Sequence, residues 1–250
     1  MTPPATLVLL PGLDGTEILL QPLVGELRAL LPGSVRPLVV TYPVSGDNSY
    51  AELLALVRRA VAHLPEYYVL GWSFSGPLAL MLAAAEPDKV RGVILSASFV
   101  RPPTPVLTLL RFALLPPAVW TWRAARRLPL WLLRPETDAM RRAKSETWKR
   151  VSARVIASRM RAIAGVDAAA ALQSCCQPML YIASSYDGIV PLRNAAEVAR
   201  LRPSVQRVTI DGAHLAMFTN PGAAAQAIAQ FIASCHQAVT VPREYRRALS

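Results

Sequence analysis

Three short phrases carry side chains that could act together on a carbonyl compound. Residues 69–76 read VLGWSFSG, residues 184–191 read SSYDGIVP, and residues 211–221 read DGAHLAMFTNP. A serine hydroxyl is a weak nucleophile until a base takes its proton, and the base needs an acid to hold its ring and steady its charge. Ser73, Asp187 and His214 supply these groups in the order serine, acid, histidine, each just after an apolar run. Ser73 lies two residues after Gly71 and two before Ser75. A turn sharp enough to lift the hydroxyl above a sheet brings positions 71 and 75 together, so both must be small. The usual form of this pattern is G-x-S-x-G; here Ser75 fills the last position and Gly76 follows.

Each residue has a rival. Ser75 as nucleophile would carry its hydroxyl inside the first turn of the following helix. Asp211 stands three residues before His214, but beside Gly212 it reads as a turn residue. His63 falls late in a helical pattern and His236 near the C-terminus, so both read as surface histidines.

Strand ends must position these groups. Apolar runs at 6–10, 36–42, 67–70, 90–96, 179–183 and 205–210 predict strands. Helical spacing over 17–31, 50–64, 77–85, 191–201 and 221–234 predicts helices between them. Strands that are near-continuous apolar runs, alternating with helices, predict an α/β fold with a mostly parallel central sheet covered on both faces. The chain has 250 residues, 53% of them apolar, enough for one large core with an insertion.

That insertion, residues 101–165, has no strand candidate. It holds 14 of the 27 Lys and Arg residues, three of the 16 acids, and Trp120, Trp122, Trp131 and Trp148 of the five tryptophans. The net charge of +11 therefore belongs to this segment, and the rest of the chain is neutral. The domain reading is a core of 1–100 and 166–240, a helical insertion of 101–165, and a basic tail of 241–250. Clustered Arg123, Arg126 and Arg127, with Trp120 and Trp122, could contact an anionic carrier protein, a phosphate-bearing acyl group or lipid headgroups. The plainer reading is that the tryptophans pack the helices of the insertion and the arginines solvate its outer face. No nucleic-acid-binding motif accompanies the charge.

Three cysteines, two of them adjacent as Cys175-Cys176, argue against a disulfide framework and for reduced thiols in a cytoplasmic chain. Three histidines without CxxC or HxxxH spacing give no zinc pattern. The start Met1-Thr2-Pro3-Pro4 lacks the basic opening of a leader, and no apolar run reaches spanning length.

With these phrases, the chain resembles the α/β-hydrolase superfamily. Within it, the phrases look most like small carboxylesterases of the kind that cleave pimeloyl-acyl-carrier methyl esters. The resemblance covers nearly everything outside the insertion, and implies that the insertion lies over the active site as a lid. Residues 7–16, LVLLPGLDGT, resemble the family's oxyanion loop. By position, the backbone N–H groups of Leu13 and Phe74 would hold the oxyanion, with Asp14 a weaker candidate that reads better as a helix N-cap. Two departures are Ser75 in place of glycine, and Pro11 before Gly12 where many relatives have histidine. The implied activity is ester hydrolysis on small to medium acyl chains, without metal or organic cofactor. Trp72, beside the serine, is a candidate substrate contact. Acyl transfer, thioester cleavage and perhydrolysis use the same groups, and a hydrolase-like fold can also serve as a binding module.

Overall fold

The structure, a computed structural model, describes residues 4–104 and 137–240, the last three by backbone alone. Among the described residues six strands form one sheet: β1 (Ala5–Leu10), β2 (Val35–Val39), β3 (Tyr67–Trp72), β4 (Val90–Ser96), β5 (Met179–Ser184) and β6 (Gln206–Ile210). Their order is β2-β1-β3-β4-β5-β6, and every pairing among the described residues is parallel. The helices are α1 (Gln21–Leu30), α2 (Tyr50–Val61), α3 (Gly76–Ala85), α4 (Asp138–Arg150), α5 (Ala153–Gly165), α6 (Ala169–Ser174), α7 (Arg193–Leu201), α8 (Ala216–Thr219) and α9 (Pro221–Thr240).

Side chains alternate across a strand, so one apolar run feeds two core layers. From β3, Tyr67 and Val69 join the layer with α2 and α3, while Tyr68, Leu70 and Trp72 join the layer with α1 and α9. All six β3 residues are buried. Helix α3 reads GPLALMLAAA and is buried almost all round, as a helix without a polar face must be. Its small side chains let it lie close against β3 and β4. Helix α2 opens with a capping box: the Ser49 hydroxyl accepts the Glu52 N–H, and the Glu52 carboxylate accepts the Ser49 N–H.

Several boundaries differ from the sequence expectation. Strand β2 stops at Val39, not Tyr42, because the Tyr42 N–H leaves the sheet and donates to the Gly15 carbonyl at 2.8 Å. Strand β3 runs on to Trp72, up to the sharp turn, or elbow, that carries Ser73. A 3-10 turn at Ile18–Leu20 precedes α1. Helix α9 continues to Thr240, past the expected end at 234.

Residues 101–165 contain α4 and α5 among the described residues. Two cations of this segment face acids of the core. Arg101 pairs with Asp167 at 3.0 Å and Glu197 at 2.5 Å, and Arg150 bridges Glu17 at 2.9 Å and Glu146 at 2.6 Å. The basic excess is thus partly used in anchoring the segment. Cys175 and Cys235 are buried, Cys176 is exposed, and all three are free thiols. No helix among the described residues is long and apolar enough to cross a membrane.

Candidate active site

The strand order reverses between β1 and β3: β2 lies on one side of this pair and β4, β5 and β6 on the other. Loops leaving the carboxyl ends of two such strands diverge and leave a crevice, the usual ligand position in an open parallel sheet. Here those loops hold Gly12-Leu13-Asp14 after β1 and Ser73 after β3.

Ser73 has φ of 51°, in the left-handed region, and begins a 3-10 turn over Ser73–Ser75 that leads into α3. Such a conformation costs free energy in a non-glycine residue and persists only where its surroundings enforce it. Two close approaches enforce it here. A Cβ on Gly71 would lie 2.7 Å from the Ser75 carbonyl carbon, closer still to its oxygen, and 2.9 Å from Ala79 Cβ. A Cβ on Gly76 would lie 2.7 Å from Ser98 Cβ and collide with Ser98 Oγ. The Ser98 hydroxyl donates to the Ser73 carbonyl at 2.6 Å. That carbonyl and the Phe74 N–H share one peptide plane, so Ser98 fixes where the N–H points.

Ser73 Oγ is 2.9 Å from His214 Nε2, and His214 Nδ1 is 2.7 Å from Asp187 Oδ2. A carboxylate can only accept, so Nδ1 carries the proton and Nε2 faces the serine as acceptor. The other Asp187 oxygen accepts the N–H groups of Ile189 and Val190, both at 2.8 Å. The Asp187 side chain is 1% exposed and the His214 side chain 13%. This line of hydrogen bonds can move a proton from the hydroxyl to the imidazole and stabilise the charge that results.

The rival residues have other partners. Ser75 is fully buried; its hydroxyl donates to the Pro11 carbonyl and lies 2.5 Å from the Tyr42 hydroxyl. Asp211 accepts from Ser185 Oγ and from the Tyr186 hydroxyl, each at 3.1 Å, and so ties the aspartate loop to the histidine loop. His63 and His236 are exposed. Asp14 is not a helix N-cap. Its Oδ2 accepts the Thr16 N–H at 2.9 Å and the Thr16 hydroxyl at 2.5 Å, bracing a turn ahead of the first helical turn. Burial raises the Asp14 carboxyl above its ordinary pKa of 3.8, against the opposing pull of the Thr16 hydrogen bonds and of Arg159. Trp72 is 1% exposed within the apolar layer against α1 and α9, and its Nε1 has no hydrogen-bond partner among the described residues. Trp120, Trp122, Arg123, Arg126 and Arg127 lie outside the described residues.

Neither the Leu13 nor the Phe74 N–H donates to an acceptor among the described residues. Phe74 stands where a helix start leaves N–H groups unsatisfied. Sequence reasoning overlooked the groups that hold these two turns: Tyr42 and Arg159, the latter bound to Asn48, at the turn after β1, and Ser98 at the turn after β3. A polar residue just past an apolar run, as Ser98 is after β4, was the one local signal.

Comparison with known proteins bears on the family and the fold. The family model for the alpha/beta hydrolase fold matches residues 42–221. A pimeloyl-[acyl-carrier protein] methyl ester esterase of Neisseria meningitidis is 38% identical over 80 residues, covering 30% of this chain and 31% of that protein. The biotin biosynthesis bifunctional protein BioHC of Cellvibrio japonicus is 29% identical over 97% of this chain and 50% of its own length. The chain thus aligns with half or less of these curated relatives. Among solved structures, a study of carboxylesterases from Nitrososphaera gargenis supplies a chain similar at a TM-score of 0.76, with 17% identity over 94% of this chain and 92% of that one. The enol-lactonase of Burkholderia xenovorans is similar at a TM-score of 0.71, with 18% identity over 93% and 92%. The match over most of the chain, on a sheet of this order, shows that this chain belongs to the α/β-hydrolase fold family.

Proposed function

We propose that the chain is a serine hydrolase of carboxylic esters, with Ser73 as nucleophile, His214 as base and Asp187 as the orienting acid. The observation that carries this reading is the continuous relay from Ser73 Oγ through His214 to Asp187, at 2.9 and 2.7 Å. Ser73 Oγ attacks the ester carbonyl carbon as its proton passes to His214 Nε2. The carbonyl oxygen becomes an oxyanion held by the Leu13 and Phe74 N–H groups. Collapse of the tetrahedral centre expels the alcohol, which takes the proton from His214, and leaves an acyl-serine. A water molecule, deprotonated by the same nitrogen, then attacks the acyl carbon, and the acid and free Ser73 are released. Hydrolysis of a p-nitrophenyl ester series from acetyl to palmitoyl, compared between the wild type and Ser73→Ala, tests this. Turnover by the wild type alone supports it; equal activity, or none in either protein, sinks it.

A second reading is that the acyl group arrives on a carrier protein. The names of the Neisseria relatives favour it, as does the basic excess of residues 101–165. Cleavage of a carrier-bound methyl ester that slows steeply with added salt, while p-nitrophenyl ester hydrolysis does not, is its signature.

A further inference from the structure

The chain buries an arginine outright. Arg159, on α5, is 0% exposed, and its guanidinium has no carboxylate hydrogen-bonded to it among the described residues. Every bond goes to an uncharged oxygen. Nη1 donates to the Leu13 carbonyl at 2.9 Å. Nη2 donates to the Pro43 carbonyl and to Asn48 Oδ1, both at 2.9 Å, and Nε donates to Asn48 Oδ1 at 3.2 Å. The guanidinium stands 5.5 Å from the centre of the Tyr42 ring. It also presses on Gly15, φ 69°, where a Cβ would meet Nη1 at 2.5 Å and Cζ at 2.8 Å. Burying a cation costs several kcal/mol, and an apolar side chain would fill the same space without that cost. Burial draws the guanidinium down to about 10, which still leaves it charged at neutral pH.

What the cation holds is the loop after β1. Three successive carbonyls of that loop are each hydrogen-bonded. The Pro11 carbonyl accepts from Ser75, whose hydroxyl can in turn accept from Tyr42. The Gly12 carbonyl accepts the Gly15 N–H at 3.0 Å. The Leu13 carbonyl accepts from Arg159 at 2.9 Å. The Leu13 N–H lies in the Gly12–Leu13 peptide, between the two outer anchors. With the carbonyls on both sides tied down, that peptide cannot rotate without breaking a buried hydrogen bond, and its N–H direction is set before substrate arrives.

We infer that Arg159 is a positioning residue for ester hydrolysis, one that fixes the Leu13 N–H in the orientation needed to stabilise the oxyanion. This rests on the serine-hydrolase reading above. A preorganised donor acts in the transition state and little in the ground state, so its disorder lowers kcat and leaves KM nearly unchanged.

The test is Arg159→Lys, which keeps the charge but not the planar fork that reaches three acceptors. Folding is checked by circular dichroism and urea unfolding. Turnover is measured on the p-nitrophenyl ester that the wild type prefers, and affinity for an alkyl trifluoromethyl ketone, which forms a tetrahedral oxyanion on serine, is measured beside it. The expected result is a kcat lower by about 10–100-fold, short of the 10²–10³ for deleting a donor. KM should be nearly unchanged and ketone affinity should fall in parallel. A folded Arg159→Lys with wild-type kcat, or with a loss carried by KM alone, overturns the inference and leaves the hydrolase reading standing. A wild type that neither turns over ester nor binds the ketone overturns both. If Arg159→Lys does not fold, Asn48→Gly decides. Glycine accepts the φ of 56° at that position and removes the side chain gripping the guanidinium. A smaller fall in kcat at constant KM supports the inference, and wild-type kcat overturns it.

Discussion

Gly71→Ala probes the elbow itself. The added methyl would lie 2.9 Å from Ala79 Cβ and 2.7 Å from the Ser75 carbonyl carbon. Carbon atoms in optimal contact sit about 3.5–4.0 Å apart, so the turn must open by on the order of 1 Å. Neither obstacle is the far end of a flexible side chain: one is backbone and the other is a Cβ in α3. Opening the turn moves Ser73 away from His214, and a bond of 2.9 Å stretched by that amount is no longer a hydrogen bond. A displacement of about 1 Å at a reacting group costs roughly 10²-fold in rate. Overpacking of this kind costs about 1–3 kcal/mol, a fraction of the roughly 5–15 kcal/mol that holds a domain together. Gly71→Ala should therefore fold, unfold at lower urea, and turn over p-nitrophenyl ester about 10²-fold more slowly. Gly25→Ala is the matched control. Gly25 is exposed within α1, and a Cβ there would meet nothing within 4 Å. It should gain about 0.5–1 kcal/mol with unchanged kcat. A Gly71→Ala protein with wild-type kcat would refute the claim that this contact sets the position of Ser73.

Asp187→Asn should lower kcat by about 10³–10⁴-fold, because an amide cannot hold the same tautomer and charge on His214. Asp211→Asn should change stability more than kcat, and the reverse ranking would reassign the acid. Near pH 8, one thiol per native chain should react quickly with a chromogenic aromatic disulfide, and Cys176→Ser should remove that phase. Cys176 is exposed, whereas burial pushes the Cys175 thiol up to about 11 and raises Cys235 as well. Two fast thiols in the native protein would contradict this burial. Asp14 titrates higher folded than unfolded, so its contribution to stability is present below 3.8 and is lost as pH rises through the folded value. The stability of Asp14→Asn relative to wild type should accordingly rise from pH 4 to pH 7 in urea midpoints, and a fall over that range would reverse the sign of the argument.

Much of this protein is legible locally. Runs such as TLVLL and VRGVILS become strands because a parallel strand buried on both faces must be apolar throughout. Ser73, Asp187 and His214 stand at strand ends in a fixed order, so periodicity and spacing alone bring them to one edge of the sheet. The glycine at position 71 follows from the elbow, since any turn of that sharpness excludes a Cβ there. Other features have no local pattern. Ser75 read as a spacer whose merit was small size; the fold also uses its hydroxyl to bind Pro11, 64 residues away. Tyr42 read as the end of a strand, and instead turns inward to meet Ser75. Asp14 read as a helix cap, and instead braces its own turn with Thr16. Arg159 read as one of many cations on a basic segment. Burial against the Leu13 carbonyl, 146 residues distant, gives it a different part. Sequence by itself determined which residues are apolar, which can do chemistry, and in what order they meet the sheet edge, because those follow from side-chain type and local period. Only the tertiary structure decided which buried polar groups face each other, because a hydrogen bond across more than a hundred residues depends on how separate elements pack and leaves no trace in either segment alone.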